Sequence, residues 1–207
     1  MNRNRETKNT FTSTTLRSAA GLSDTPPALI DAALVLIDVQ REYGPAGQLP
    51  LSGFSAAMDN IVDLLTRARE RNVPIIHVVH RGKSGGLFDP QEGGETLSAV
   101  EPLHAETIVE KRLPNAFAGT DLAHHVDRFD RPELILVGFM THMCVSTTAR
   151  AALDLGLTTT IASDATATRD LPDSGGRGHL AASVVHEAAL AALGDRFSRI
   201  STANEIV

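Results

Sequence analysis

The chain has 207 residues, 42% of them hydrophobic, and a net charge of -6, values ordinary for one soluble α/β domain. The negative charge and an aromatic content of only 4% argue against nucleic acid as a partner, because nucleic-acid binding favours a basic face and stacking aromatics. No apolar run is long enough for a membrane span, and the first 25 residues lack the apolar core of a signal peptide. With Cys144 as the only cysteine, we expect a cytoplasmic protein.

The first 27 residues differ in character from the rest of the chain. They are polar, carry four spread cations and end in Thr25-Pro26-Pro27. This composition favours an N-terminal arm over residues 1–27, either mobile or packed on a neighbouring subunit. The single domain is then expected to cover residues 28–207.

Strand and helix patterns alternate from residue 33 onward. Continuous apolar runs and β-branched segments predict strands at 33–37, 74–79, 107–110, 133–137 and 158–162, with an edge strand at 198–202. Helical spacing predicts helices at 54–71, 121–129, 145–155 and 180–193. This rhythm predicts a three-layer α/β/α, Rossmann-like domain whose mostly parallel six-stranded sheet has helices on both faces. The glycine-rich segment 81–106 reads as a long loop with a functional or subunit-contact role.

Three reactive side chains come where predicted strands end. Asp38 follows the first strand, Lys111 the third, and Cys144 the fourth, after a short turn led by glycine. Each has an ordinary alternative: a capping acid, a solvent-facing lysine, a small buried thiol. Because ligands of open parallel sheets bind outside the carboxyl ends of the strands, their shared placement favours one site for covalent hydrolysis.

The charges of these three groups suggest a separate catalytic role for each. Cys144 lies at the start of a predicted helix, where the helix dipole is expected to lower its pKa and make the thiolate more available. The sulfur attacks a carbonyl carbon, Asp38 takes its proton and returns it to the leaving nitrogen, and Lys111 favours the ionised forms. Two backbone N–H groups near the nucleophile are expected to bind the oxyanion.

Four segments carry a resemblance to a known family, and they read Leu34-Val-Leu-Ile-Asp38-Val-Gln40, Val109-Glu-Lys111-Arg-Leu-Pro-Asn-Ala-Phe117, Gly138-Phe-Met-Thr-His-Met-Cys144-Val145 and Ser163-Asp-Ala-Thr-Ala-Thr-Arg169. In this order and from about residue 33 to 193, the chain resembles the isochorismatase-like cysteine hydrolases. The resemblance implies a catalytic triad of Asp38, Lys111 and Cys144. It also implies a cis peptide between Phe139 and Met140, which directs the Met140 N–H, together with the Cys144 N–H, at the oxyanion.

The resemblance also narrows the reaction. Family members with the cysteine resemble amidases and ureidohydrolases, so we expect hydrolysis of a small amide, ureido or carbamoyl compound through a thioester, in a homo-oligomer such as a dimer or tetramer. Nicotinamidases of the family carry histidine ligands for zinc, and residues 48–53 have no histidine, so no metal and no cofactor is expected. Two alternatives remain open: hydrolysis of a vinyl ether of the isochorismate type, and a redox-sensing or binding role without hydrolysis.

Five side chains are candidates for the walls of the substrate pocket: Tyr43, His80, Phe88, Phe117 and His142. Each comes shortly after a predicted strand end or in a predicted loop, and an aromatic there could either pack on a small planar substrate or cover the core.

Two further features have open roles. Gln40 is expected to brace Asp38 or Lys111. The segment 164–169, which ends in Arg169, either binds polar atoms of the substrate or contacts another subunit.

Overall fold

The structure, a computed structural model, describes residues 14–207, so the first part of the predicted arm lies outside the described residues. The strands are β1 (Ala33–Ile37), β2 (Ile75–His80), β3 (Thr107–Lys111), β4 (Glu133–Phe139), β5 (Thr158–Ala167), β6 (Leu171–Pro172), β7 (His179–Leu180) and β8 (Ser198–Ser201). The α-helices are α1 (Leu16–Ala19), α2 (Phe54–Glu70), α3 (Leu122–Phe129), α4 (Ser146–Asp154) and α5 (Ala182–Arg196).

Six of these strands form one sheet in the order β3-β2-β1-β4-β5-β8, and all of its pairings are parallel. The predicted fold class is therefore confirmed. The strand order reverses between β1 and β4, because the chain first builds outward through β2 and β3 and then returns to the other side of β1. Parallel α/β sheets open a crevice for ligands at such a reversal, beyond the carboxyl ends of the central strands.

The central strand β1 is buried on both faces, as its unbroken apolar sequence predicts. Leu34 and Leu36 point into one core layer, which is covered by α2. Ala33, Val35 and Ile37 point into the other layer, which is covered by α3, α4 and α5. With a helix layer on each side, β1 is held rigidly, and so is the residue that follows it.

Several element boundaries differ from the sequence prediction. The strand predicted over 158–162 continues to Ala167, with a register shift against β4 between Leu136 and Gly138. The helix predicted from residue 180 begins at Ala182 instead, because Leu180 pairs with Leu171 in the β6–β7 hairpin. The extension of β5 carries the chain on to the end of β4, beside the site.

The described part of the predicted arm packs on the chain itself. Helix α1 contacts α5, and the Leu16 N–H donates to Asp195 Oδ1 at 2.9 Å. The Arg17 side chain is buried and pairs with Asp24. Within residues 14–207, no helix has both the length and the apolar character needed to cross a membrane.

Candidate active site

Asp38 is the first residue after β1, and its backbone leaves the strand sharply. It has a φ of 51°, in the left-handed region that aspartate tolerates better than most residues, while its N–H still donates to the Val78 carbonyl at 2.8 Å. The side chain is fully buried. One carboxylate oxygen, Oδ2, accepts from Lys111, whereas Oδ1 has no hydrogen-bond partner among the described residues. A buried acceptor is therefore left free at the end of the central strand.

Lys111 ends β3 and reaches across β2 toward Asp38. Register places it beside His80, the last residue of β2. Its Nζ lies 2.7 Å from Asp38 Oδ2, 3.3 Å from Cys144 Sγ and 3.3 Å from His80 Nδ1. The side chain is fully shielded from solvent. Because an ammonium has three N–H donors, these three contacts satisfy a charge that would otherwise be costly to bury.

Cys144 lies in a wide π-type turn, Thr141–Val145, that leads directly into α4. The peptide bond before this turn, between Phe139 and Met140, is cis. Gly138 lets β4 come this close to β1: a Cβ at Gly138 would stand 2.1 Å from the Ile37 carbonyl oxygen. The absence of a side chain at Gly138 therefore allows the turn that carries Cys144 to lie beside Asp38.

The thiol of Cys144 does not have the lowered pKa that the sequence analysis expected. Burial raises its pKa to about 12, and the negative charge of Asp38 adds to the rise, while Lys111 opposes it. Burial likewise raises the pKa of Asp38 against the attraction of Lys111. The expected lowering of the Cys144 pKa was wrong because it considered only the helix dipole. Loss of water around the thiol and the neighbouring carboxylate have the larger effect on its pKa. The resting sulfur therefore carries its proton at neutral pH.

His80 is part of this cluster through its contact with Lys111. Burial lowers the pKa of His80, and the Lys111 charge lowers it further, so the imidazole is neutral and Nδ1 can accept from the ammonium. Gln40 holds the backbone here: its Oε1 accepts from the His80 N–H at 2.8 Å, and its Nε2 donates to the carbonyls of His80 and Gly94. The Gln40 side chain bonds neither Asp38 nor Lys111, but its backbone N–H donates to the Asp38 carbonyl at 2.8 Å, so a bracing role for Gln40 stays a prediction.

Aromatic side chains cover the site from the side of α2. The rings of Tyr43 and Phe88 lie 5.3 Å apart, those of Tyr43 and Phe139 5.8 Å, and those of His80 and Phe88 4.9 Å. Burial raises the pKa of the Tyr43 hydroxyl, and the negative charge of Asp38 raises it further, as does that of Cys144 once its thiol is ionised. The Tyr43 hydroxyl therefore lies within the electrostatic influence of Asp38, and a role for Tyr43 in a substrate pocket stays a prediction.

Of the other two pocket candidates, only His142 has a contact near the cluster. His142 follows the cis peptide by two residues, and its Nδ1 lies 2.6 Å from Thr168 Oγ1 at the end of β5. Phe117 instead packs on the core layer that contains Val109 and Ala116. A pocket role for Phe117 stays a prediction.

Glu42 is a buried residue that the sequence analysis missed. Its carboxylate accepts from the N–H of Gln48 at 3.0 Å and from the N–H of Phe88 at 2.9 Å. It thereby fastens two separate loops to each other and fixes Phe88, which has a φ of 58°. Its neighbour Arg41 is exposed, so the sequence around Glu42 resembles a charged surface turn and contains no signal of burial.

No cluster suited to holding a metal ion occurs within the described range 14–207, where the search was for three or more histidine, cysteine or acidic side chains. The groups that the structure brings together are one carboxylate, one ammonium, one thiol and one neutral imidazole.

Comparisons with known proteins agree on the family. The model of the isochorismatase domain matches residues 32–205. A secreted isochorismatase effector, Isc1, from Verticillium dahliae is 35% identical over 92% of this chain and 97% of its own length. A crystal structure of an isochorismatase from Pseudomonas putida is 40% identical, with a TM-score of 0.89 over 94% of this chain and 100% of that one.

A more distant relative is a streptothricin hydrolase from Streptomyces noursei, 34% identical over 68% of this chain. The matched region spans 51% of the length of that relative. The domain match and the long alignments at 35% and 40% identity lead to one conclusion: this chain belongs to the isochorismatase family of hydrolases.

Proposed function

We propose that the protein hydrolyses the C–N bond of a small amide or ureido compound through a thioester on Cys144. One observation carries the proposal: the buried Lys111 ammonium contacts the Asp38 carboxylate and the Cys144 sulfur at the same time. A lysine shared by an acid and a thiol can stabilise a thiolate while the acid holds its proton, which is what nucleophilic attack by a cysteine requires.

The first half of the reaction begins with a neutral thiol. The proton of Cys144 moves to Asp38, whose Oδ1 is free to accept it, and the sulfur forms a bond to the substrate carbonyl carbon. The carbonyl oxygen becomes an oxyanion, for which the N–H groups of Met140 and Cys144 are the proposed donors. The oxyanion then reforms the carbonyl, the C–N bond breaks, and Asp38 returns its proton to the leaving nitrogen.

The second half regenerates the enzyme. Asp38 takes a proton from a water molecule, and the hydroxide attacks the thioester carbonyl. The C–S bond breaks, the thiolate takes the proton back, and the acid is released; a carbamic acid product would break down further. The raised pKa of Asp38 suits both halves, because a carboxylate with a raised pKa is the stronger base.

The high pKa of Cys144 fits this cycle. A thiol with a pKa of about 12 is neutral in the empty site, and becomes a nucleophile only while Asp38 accepts its proton. Activation is thus tied to the presence of an electrophile that the oxyanion donors can hold. The same property weakens the redox-sensing alternative, because sensor cysteines have a low pKa and are accessible, whereas this thiol is buried.

Hydrolysis of a vinyl ether is the second candidate, and the relatives named as isochorismatases favour it. That reaction needs an acid to protonate the substrate and does not need a thiol. The contact between Lys111 and the sulfur favours the amide, and the relative named streptothricin hydrolase shows that the family includes hydrolases of other compounds.

Release of ammonia from a panel of aliphatic amides, half-amides of dicarboxylic acids and N-carbamoyl amino acids tests the proposal, with isochorismate as a further substrate. We expect ammonia from at least one amide with the wild type and none with Cys144→Ala. Met143→Ala, an exposed change in the same turn, is the matched control and should keep activity. Turnover of isochorismate alone, undiminished in Cys144→Ala, would instead establish the vinyl ether reaction.

A further inference from the structure

His80 lies directly beside Lys111, at the ends of two neighbouring strands. It is the last residue of β2 and the register partner of Lys111 on β3, so the two residues leave the sheet at the same level. Its Nδ1 lies 3.3 Å from Lys111 Nζ. For Nδ1 to accept from an ammonium, the ring must be neutral and its hydrogen must be on Nε2.

The His80 ring is held from two sides. The Gln40 side chain accepts from the His80 N–H at 2.8 Å and donates to the His80 carbonyl oxygen at 2.9 Å. The ring itself packs on the uncharged ring of Phe88, with 4.9 Å between the centroids and 52° between the planes. An imidazole held in this way presents Nδ1 to Lys111 with little further loss of side-chain entropy.

The three groups that surround Lys111 Nζ change differently during the proposed cycle. The sulfur of Cys144 passes from thiol to thiolate to thioester, and Asp38 passes from carboxylate to carboxylic acid and back. An uncharged sulfur is a weak acceptor, and a neutral acid attracts a cation less than a carboxylate does. Of the contacts of Nζ within residues 14–207, only that to His80 therefore keeps its protonation state throughout.

Uptake of a proton by His80 would break this contact. The proton must enter at Nδ1, because Nε2 already has one, and the imidazolium would then face the ammonium at 3.3 Å. Burial lowers the pKa of His80, and the charge of Lys111 lowers it further, while that of Asp38 opposes the change. The next residue in the chain, Arg81, is paired with Glu110. The charges that act on the imidazole are therefore those of the buried pair in the site.

We propose that His80 is a positioning residue, which holds the Lys111 ammonium in place through the catalytic cycle and releases it when the imidazole takes up a proton. This inference deepens the proposed hydrolysis at Cys144 and rests on it. It predicts that His80 contributes to a loss of activity in acid, below the usual imidazole pKa of about 6.5.

His80→Asn and His80→Leu separate the acceptor from the ring. Asparagine can place its Oδ1 close to the position of Nδ1 and does not titrate, whereas leucine fills space and has no acceptor. We expect His80→Leu to lower kcat by about 10- to 100-fold, the range for a hydrogen bond to a charged group, with little change in KM. His80→Asn should keep most of the kcat of the wild type.

The pH dependence of kcat/KM gives a second readout. In the wild type, uptake of two protons should reduce kcat/KM in acid, one on Asp38 and one on His80. In His80→Asn, only the proton on Asp38 should remain in the profile. His124→Asn is the matched control, since His124 is an exposed histidine on α3, and its profile should equal that of the wild type.

Several kinetic results would overturn the inference. An undiminished kcat in His80→Leu would show that the contact with Lys111 is not needed. An equal loss of kcat in both variants would assign the effect to packing of the ring, and a rise in KM alone would assign His80 to the wall of the substrate pocket. A fall in acid that is the same in His80→Asn and the wild type would remove the role of the proton.

A measurement on the resting enzyme separates the two proposals if no amide is hydrolysed. NMR of isotopically labelled histidine follows the His80 ring, which is assigned by its absence from His80→Asn, in the wild type and in Lys111→Met. We expect a neutral ring with its hydrogen on Nε2, and a pKa that rises when the charge of Lys111 is removed. These signals would support the positioning contact even if the proposed hydrolysis had failed. A ring hydrogen on Nδ1 in the wild type, or a His80 pKa that does not respond to Lys111→Met, would overturn the inference and leave the proposed function standing.

Discussion

Lys111 Nζ and Asp38 Oδ2 lie 2.7 Å apart, and neither side chain has any exposure to solvent. The two residues end different strands, β3 and β1, and β2 lies between those strands. Such a pair is costly to assemble, because both charges lose their water. We infer that it is kept for chemistry, since a hydrophobic pair of similar volume would fill the same space at least as stably.

Breaking this pair should destabilise the fold strongly. Lys111→Met leaves the Asp38 carboxylate buried and unpaired, which should cost about 3–5 kcal/mol in the free energy of unfolding. Asp38→Asn/Lys111→Met should cost less than the sum of the two single changes, because neither charge is left alone. Urea denaturation measures all three variants, and none should turn over substrate.

The control for this comparison of single and double variants is the exposed pair of Arg41 and Glu95. Arg41→Ala should change the free energy of unfolding by less than about 1 kcal/mol, as is usual for surface pairs. Additive costs at Asp38 and Lys111 would mean that the two charges are not coupled.

Asp38→Asn should make the thiol more reactive while it removes catalysis. The carboxylate raises the pKa of Cys144 and Lys111 lowers it, so loss of the carboxylate should shift the pKa downward from about 12. Iodoacetamide alkylation followed from pH 7 to 11 reports the thiolate, and Cys144 is the only thiol in the chain. In the wild type the rate should climb about tenfold per pH unit across this range.

The same experiment has a clear contradicting result. Alkylation of Asp38→Asn that is equal to or slower than that of the wild type at pH 8 would mean that the carboxylate does not hold the proton on sulfur. The argument for a neutral resting thiol would then be lost.

The sequence was most informative where function depends on strand ends. The runs that lead to Asp38 and Cys144 are short and apolar, and Lys111 follows a short β-branched segment. Because parallel strands align their carboxyl ends, one site could be predicted without knowing any contact. The six-stranded sheet followed from the same runs.

What the sequence could not show depends on contacts between distant loops and on loss of water. The Gln40 side chain donates a hydrogen bond to the Gly94 carbonyl, 54 residues away in the sequence. The Glu42 carboxylate accepts one from the Phe88 N–H, 46 residues away, and no local pattern encodes such pairs. The pKa of Cys144 depends on its burial, which a position at the start of a helix does not reveal. The continuation of β5 to Ala167 was hidden because its polar sequence, Ser163-Asp164, interrupts the apolar run.

Glu42→Gln should loosen the loop that carries Phe88. The amide has one oxygen in place of two, so one of the N–H groups of Gln48 and Phe88 loses its acceptor, at a cost of about 1–3 kcal/mol. Hydrogen exchange at the Phe88 amide should accelerate, and KM should rise more than kcat falls. Glu92→Gln, an exposed change in the same loop, is the control. Unchanged exchange at Phe88 would remove the proposed fastening role.

Glu106 should make the fold sensitive to acid. Burial opposes ionisation of Glu106, but hydrogen bonds from Arg69, the Leu103 N–H and His77 bring its pKa down from 4.5 to about 2. Because the folded state holds this proton less tightly than the unfolded one, the stabilisation is complete above about pH 5 and is lost as the pH falls toward 2. Glu106→Gln should lower the free energy of unfolding at pH 7 and flatten its decline over that interval.

Chemical denaturation at a series of pH values measures this effect. Glu70→Gln, an exposed change on α2, should leave the pH dependence as in the wild type. A decline in Glu106→Gln as steep as that of the wild type would assign the acid sensitivity to other carboxylates.

The covalent intermediate is the most direct test of the account. An amide that the wild type hydrolyses is mixed with enzyme, quenched in acid within the first turnovers and digested for mass spectrometry. We predict an acyl adduct on Cys144 that hydroxylamine removes. The adduct should accumulate in a variant in which the attack of water on the thioester is slowed. Rapid hydrolysis of the same amide with no adduct on Cys144, and with activity retained in Cys144→Ala, would contradict the central claim.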